Sequence, residues 1–139
     1  MKETRRNLIL AAVIFIVVTV VSLFRGGYSN IVRFTGDDFT LTGPEELTFV
    51  CPLSDIVRAE LADAYVEGEL LSGGVKNHYS YGRRSSTDLG EYTVSIYDKC
   101  ESYIVMTVSD GRVLVFNYDN PGNTAALYEA LCALPGVNA

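Results

Sequence analysis

The chain has 139 residues and a formal net charge of −6, and 48% of its residues are hydrophobic. At roughly 100–200 residues per domain, this length accommodates one globular domain, and the composition excludes a disordered tail or a collagen-like fibre. The single histidine excludes a multi-histidine metal or catalytic centre. Residues 26–139 carry a charge of −9, which disfavours nucleic acid as a partner.

The first elements in chain order are a short basic tail at residues 1–7 and an uncharged, apolar run of 17 residues at 8–24. As a helix, this run spans about 26 Å, close to the thickness of a bilayer core. We therefore predict a transmembrane helix at 8–24 and a linker at 25–29. Basic residues precede the run, so the positive-inside rule favours a cytoplasmic N-terminus and an extracytoplasmic C-terminal domain at the cell membrane.

A cleaved signal peptide is the main alternative for the apolar run. Signal peptides have shorter apolar regions and small residues at the cleavage site, whereas this run ends in Ser22-Leu23-Phe24-Arg25. A buried core helix is less favoured, because a small domain cannot surround a helix that is apolar on all sides. Oligomerisation through the span is a structural alternative, but the span has no Gly-x-x-x-Gly motif to favour close helix pairing.

Residues 30–139 are predicted to form one β-domain that ends in a helix. Short runs alternate apolar and polar residues between turn signals, as in an antiparallel sandwich or barrel. In the fourth strand, Val57, Ala59 and Leu61 share one face. The seven predicted strands lie at residues 30–35, 39–42, 47–51, 57–61, 92–97, 103–108 and 112–118.

The predicted C-terminal helix begins after Asn120, which can cap it, with Pro121 at the first helical position. Leu127, Leu131 and Leu134 form one apolar stripe at helical spacing. This stripe must cover the open end of the β-structure, since a helix with one apolar face needs an apolar partner.

The stretch at residues 68–90 has no clear period and five glycines, and it is predicted to be a long loop. It concentrates basic and aromatic side chains in an otherwise acidic chain. Such a cluster could bind a protein segment or an anionic ligand, although its cations could instead pair with carboxylates of the same domain. The candidate ligand-binding residues are Lys76, His78, Tyr79, Tyr81, Arg83 and Arg84.

Five stretches of the β-domain resemble the bacterial pleckstrin-homology-like (PH-like) domains of small Gram-positive membrane proteins. They are mostly apolar patterns, and the likeness covers roughly residues 30–134. The resemblance implies a PH-like sandwich of about seven antiparallel strands capped by the last helix, with no catalytic residues. The stretches are Pro52-Leu53-Ser54-Asp55-Ile56, Gly90-Glu91-Tyr92-Thr93, Tyr103-Ile104-Val105-Met106, Gly111-Arg112-Val113-Leu114-Val115-Phe116-Asn117 and Thr124-Ala125-Ala126-Leu127-Tyr128.

Relatives of this family that bind phosphoinositides have Lys and Arg around the first hairpin. This sequence has Gly36-Asp37-Asp38 there. Two carboxylates repel a phosphate headgroup, so phosphoinositide binding is not expected of this chain.

Catalytic, metal and cofactor sites are not predicted from the sequence. Cys51 and His78 could be drawn as a thiol site, but Cys51 lies in the middle of a strand beside Phe49, where packing explains a small apolar side chain. The three cysteines allow one disulfide, for instance between Cys51 and Cys132, although three unpaired thiols are the simpler expectation.

The sequence thus predicts a single-pass membrane protein whose β-domain is a non-enzymatic binding or scaffolding module. The alternative is a secreted or surface enzyme that uses Cys51 as a thiol nucleophile.

Overall fold

The computed structural model describes residues 30–64 and 67–138 as nine strands, one α-helix and two short 3₁₀ helices, Pro44–Glu46 and Leu53–Asp55. The predicted mainly β domain with two sheets and a C-terminal helix is confirmed. The elements are β1 (Ile31–Thr35), β2 (Asp38–Thr42), β3 (Thr48–Pro52), β4 (Ile56–Ala62), β5 (Glu69–Lys76), β6 (Tyr79–Ser86), β7 (Gly90–Tyr97), β8 (Tyr103–Val108), β9 (Val113–Phe116) and α1 (Pro121–Cys132).

The predicted transmembrane helix at residues 8–24 lies outside the described residues. Within residues 30–64 and 67–138, no helix has the length and apolar character that crossing a membrane requires.

The predicted loop at residues 68–90 is wrong, and this stretch accounts for the two additional strands. β5 and β6 pair antiparallel, with Lys76 opposite Tyr79 at the turn. Asn77 and His78 make a two-residue turn with φ values of 51° and 66°, since tight hairpin turns favour left-handed residues. The strands have few alternating apolar residues, so their pattern does not predict a strand.

Two glycines in this hairpin are required by close backbone approach. Gly73 and Gly82 lie opposite each other in β5 and β6, with φ values of 91° and 119°. A Cβ atom at either position would overlap backbone atoms of the opposite strand. These glycines therefore fit a distorted strand pair and do not mark a loop.

The smaller sheet contains β1, β2 and β3 in sequence order, and both pairs are antiparallel. Phe39 lies at its centre and is fully buried. The Phe39 ring lies 6.5 Å from the Phe49 ring and 5.8 Å from the Phe116 ring, between centroids. Because Phe116 belongs to β9, these ring contacts join the two sheets.

The larger sheet has the order β4-β8-β9-β7-β6-β5. Its pairs are antiparallel except β7 with β9, which are parallel from Thr93 opposite Leu114 to Ser95 opposite Phe116. The expectation that all strands are antiparallel is therefore wrong. The chain leaves β7, runs through β8 on the far side of β9, and returns through β9 beside β7.

The larger sheet is curved. β4 ends at Ala62 and β5 begins at Glu69, yet these strands lie at opposite edges of the sheet. Five strand spacings span about 24 Å, which is about as far as seven extended residues reach. One cavity has Glu60 and Ala62 on one side and Ser86 and Leu89 on the other, so the two ends of the sheet approach each other. The described strands nevertheless form no closed barrel, because β4 and β5 do not pair.

The main core lies between the two sheets and α1. Asn120 caps the helix by accepting a hydrogen bond from the backbone N–H of Asn123 at 2.8 Å, as predicted. Leu127, Leu131 and Leu134 are buried, and α1 contacts β4 and β8. The predicted docking of the leucine stripe on the β-structure is confirmed.

A second apolar cluster lies on the opposite face of the larger sheet. Strand β8 contributes to both clusters, because Ile104 and Met106 belong to the main core whereas Tyr103 and Val105 pack against the second. This strand therefore contacts apolar side chains on both of its faces. The buried members of the second cluster are Tyr92, Val94, Ile96, Val113 and Val115.

Only one of the three residues predicted to share a face of the fourth strand is buried. Ile56 and Ala59 are buried, whereas Val57 and Leu61 are 36% and 43% exposed. The pairing of β4 with β8 shifts register between Ile56 and Arg58. A bulge of this kind breaks the period-two alternation of the faces, which explains why Ile56 is buried and Val57 is exposed. Leu61 lies beyond the bulge, near the end of the strand.

Asn30, the first residue of the described domain, is fully buried. Its side-chain amide donates to the carbonyl oxygens of Ser95 at 2.6 Å and Asn117 at 2.8 Å, and its side-chain oxygen accepts from the Ser95 hydroxyl. The start of the domain is therefore tied to β7 and to the residue that follows β9.

Candidate functional site

The six residues predicted as a ligand-binding cluster do not form one site. Lys76 and His78 lie at the β5–β6 turn, and Tyr81 and Arg83 lie farther along β6. Each exposed basic side chain of the cluster lies beside a carboxylate of the same chain. Lys76 lies 2.6 Å from Glu45, His78 lies 3.5 Å from Asp98, and Arg83 lies 2.8 Å from Glu91.

Arg84 and Tyr79 point into the protein. The Arg84 side chain is 7% exposed and contacts the Glu67 carboxylate at 2.9 Å. It also donates to the Gly68 carbonyl oxygen at 3.0 Å and the Ser80 hydroxyl at 3.2 Å. Tyr79 is 1% exposed, and burial raises the pKa of its hydroxyl. These two side chains support the hairpin from inside and do not offer their polar groups to a soluble ligand.

A groove of about 560 Å³ lies between the first residues of β7 and the β8–β9 turn. The parallel pairing of β7 with β9 starts only at Thr93. The backbone edge of residues 90–92 that faces β9 therefore does not pair with β9, and it borders this groove. Among the predicted cluster residues, Arg83 alone lines it. The lining residues are Arg83, Leu89, Gly90, Glu91, Tyr92, Thr93, Asp110, Gly111, Arg112 and Val113.

Two arginine–carboxylate pairs give the groove its polar character. Arg83 pairs with Glu91, and the Nε of Arg112 lies 2.7 Å from the Asp110 carboxylate. The backbone N–H of Arg112 also donates to Asp110 at 3.0 Å, and this hydrogen bond lowers the pKa of the Asp110 carboxyl. Because each cation has an adjacent anion, the pairs supply donors and acceptors without net charge.

Arg112 is fixed by the smaller sheet as well. Its guanidinium carbon lies 4.9 Å from the centre of the Phe49 ring, in cation–π geometry. It also donates to the Val50 carbonyl oxygen at 3.0 Å. Contacts on three sides hold this side chain in one orientation, which pre-forms one wall of the groove.

Sequence reasoning missed Arg112, Asp110, Glu91 and Thr93 as groove residues. Asp110-Gly111 indicates the β8–β9 turn, and that turn is present. The alternation of apolar residues does not predict which other strand lies beside this turn. Only the parallel placement of β9 against β7 brings this turn next to Glu91.

The thiol of Cys51 lies in the main core and is 1% exposed. Burial is the main cause that raises its pKa to about 11. All three cysteines are free thiols, so the alternative disulfide between Cys51 and Cys132 is not formed. A thiol nucleophile at neutral pH needs a lowered pKa and access to solvent, and Cys51 has neither.

No group of three His, Cys, Asp or Glu side chains is arranged to hold a metal ion in the part of the chain that the structure describes. Comparison with family models, with curated proteins and with solved structures finds no match for this chain.

Proposed function

We propose that this chain is a single-pass membrane protein whose β-domain is a non-enzymatic binding or scaffolding module. Residues 8–24 anchor it in the cell membrane, with a cytoplasmic N-terminus and an extracytoplasmic domain. The domain uses the groove between β7 and the β8–β9 turn to bind a segment of a protein at the membrane surface.

The groove is the observation that carries this proposal. It combines an open volume of about 560 Å³ with the two arginine–carboxylate pairs. Arg83 and Arg112 are each neutralised by an adjacent carboxylate, so the groove offers no net positive field to a small anion. A protein segment can instead use donors and acceptors of both signs, which favours it over a small anionic ligand.

The buried position of Asn30 supports a scaffolding role. Five residues, 25–29, separate Asn30 from the end of the proposed span, and five extended residues reach about 17 Å at most. The domain is thereby held close to the bilayer, where tethering raises its effective concentration for a partner in the same membrane.

A PH-like relationship forms part of the proposal. It is supported by the two packed sheets and by the C-terminal helix that contacts β4 and β8. The nine strands and the parallel pair differ from the seven antiparallel strands that the resemblance implies, so the proposed function rests on the groove and the anchor.

Site-specific photo-crosslinking in cells tests the groove. A photoreactive side chain replaces Glu91 in the groove or, as the control, Lys99, which lies beyond the far end of β7 and is exposed. About 20 Å of extended strand separates Glu91 from the end of β7 at Tyr97. We expect an adduct of one discrete mass from position 91 and none from position 99.

Combining the position-91 probe with Arg83→Glu should abolish that adduct, because the substitution replaces a cation of the groove with an anion. Identical adducts from both positions, or an adduct that Arg83→Glu leaves unchanged, would contradict binding in the groove.

A further inference from the structure

The two edges of the larger sheet differ in their backbone hydrogen bonds to other parts of the chain. The C-terminal tail bonds to the β4 edge at one point, because the Asn138 backbone donates to the Val57 carbonyl oxygen at 3.0 Å and accepts from the Ala59 N–H at 2.9 Å. β5 pairs with β6 on one side, and no other strand of the described residues pairs with it. The β5 edge is thus the long, open edge of this sheet.

The open edge has few of the features that prevent edge-to-edge pairing. Strand β5 is eight residues long and contains no proline. Its apolar side chains are exposed, with Leu70 at 46%, Leu71 at 47% and Val75 at 64%. A register shift between Leu70 and Ser72 is its one bulge. Long, exposed, apolar edges of this kind favour pairing with another strand.

The charges at the ends of β5 are complementary to those of a second copy. Seven β5 residues pair with β6, and Gly73 is the fourth of them. In an antiparallel pair of two β5 strands with a two-fold axis at Gly73, the bulge leaves Leu71 out of the register in each copy. Glu69 then lies opposite Lys76 of the second copy at both ends. The same register places Leu70 opposite Val75 of the second copy, so apolar side chains also meet.

We propose that the protein associates with a second copy of itself through antiparallel pairing of the two β5 edges, centred on Gly73. The two six-stranded sheets become one continuous sheet. Lys76 keeps its contact with Glu45, which lies 2.6 Å away, since an ammonium group has three donors and can contact Glu69 of the second copy as well.

The pairing is weak, because the two copies contact each other only through one edge strand each. Standard stable interfaces bury about 1,600 Å² in total, and a single strand pair buries less than that. A dimer that dissociates across the micromolar range is therefore expected, and its affinity is sensitive to the two end pairs.

Charge reversal tests the register in the full-length protein, by sedimentation equilibrium in density-matched detergent. Glu69→Lys places two lysines opposite each other at both ends, and Lys76→Glu places two glutamates there. We expect each variant alone to dimerise about tenfold more weakly than the unchanged protein, because two attractive end pairs become repulsive. In a heterodimer of the two variants, one copy has lysine and the other has glutamate at both positions 69 and 76, so opposite charges meet at both ends and the mixture should regain dimerisation. The single variants distinguish the strand direction, because a parallel pair of unchanged strands already has like charges at both ends and Glu69→Lys would not weaken it.

Recovery in the mixture is the result that the β5 register requires. A monomeric unchanged protein across the micromolar range would overturn the proposal. A dimer that neither variant weakens, as in association through residues 8–24, would overturn it too. So would a mixture that associates no better than the separate variants. Circular dichroism of each variant checks that its fold is intact.

Discussion

The thiol of Cys51 illustrates how the environment of one residue limits its chemistry. Cys51 lies opposite Phe39 in the β2–β3 pair, so the thiol is surrounded by the main core and not by water. Burial favours the neutral form of a thiol and therefore raises its pKa. The small side chain fills space in the core, as the packing interpretation of the sequence expects.

Modification by a thiol reagent should separate Cys51 from Cys132. At pH 7.5 in the folded protein, we expect Cys132, which is partly exposed, to react first and Cys51 to stay unmodified until the protein unfolds. Peptide mass spectrometry after timed alkylation gives the order of reaction. Rapid alkylation of Cys51 at this pH would instead support the thiol-enzyme hypothesis.

The raised pKa of Cys51 also predicts a pH dependence of stability. Below about pH 9, the thiol is protonated in both the folded and the unfolded protein. Between pH 9 and about pH 11, the unfolded thiol ionises while the folded one remains protonated, which favours unfolding. The free energy of unfolding should therefore fall over this interval relative to a Cys51→Ala variant. An identical pH dependence in the two proteins would contradict the raised pKa.

The Asn30 side chain should contribute strongly to the stability of the domain. Asn30→Ala removes the donors to two buried carbonyl oxygens, and we expect it to lower the free energy of unfolding by about 3 kcal/mol. The matched control is Asn138→Ala, because Asn138 is exposed. This substitution should change the free energy of unfolding by about 0.5 kcal/mol or less. Urea titrations of both full-length variants in one detergent measure the difference, and equal effects would contradict the role of Asn30.

At the scale of elements, the β5–β6 hairpin depends on its glycines. Gly82→Ala should destabilise the protein by more than about 2 kcal/mol, because the new methyl group overlaps the carbonyl oxygen of Ser72 and the φ value of 119° disfavours alanine. Gly74 is the matched control, because its nearest neighbour to an added Cβ is the Tyr81 hydroxyl oxygen at 3.8 Å. Gly74→Ala should change stability by about 0.5 kcal/mol or less, as measured by urea titration. Equal costs at the two positions would indicate that residues 68–90 do not form this hairpin.

The elements that the sequence predicted are those with a local signal. The β8–β9 turn at Asp110-Gly111 and the cap at Asn120 each act over a few residues, and both are present in the structure. The β5–β6 hairpin was missed because its strands are mostly exposed and are shaped by a glycine pair. No alternation of apolar residues marks such a hairpin.

At the scale of the whole molecule, the candidate site depends on long-range pairing. The basic cluster at 76–84 is continuous in sequence, but strand geometry separates its members, since neighbouring residues of a strand point to opposite faces. Arg83 thus lines the groove while Arg84 is buried. Arg112 joins Arg83 only because β9 lies beside β7, and no local pattern encodes that parallel pair.

Membrane topology can be read from an engineered cysteine. Thr87 lies in the β6–β7 turn and is exposed, so Thr87→Cys provides a reactive thiol on the domain surface in a Cys132→Ser background. We expect a membrane-impermeant maleimide to label this introduced thiol in intact cells, because the proposed orientation places the domain outside. Labelling that requires cell lysis would reverse the orientation. The Cys132→Ser protein that retains Thr87 is the control for background labelling.

The mass of the mature protein in alkaline-washed membranes tests the membrane-anchored account most directly. The account predicts that the protein stays in the membrane pellet at its full mass of 15.2 kDa, because residues 8–24 remain as an uncleaved anchor. A soluble exported protein that begins near Gly26 would contradict it.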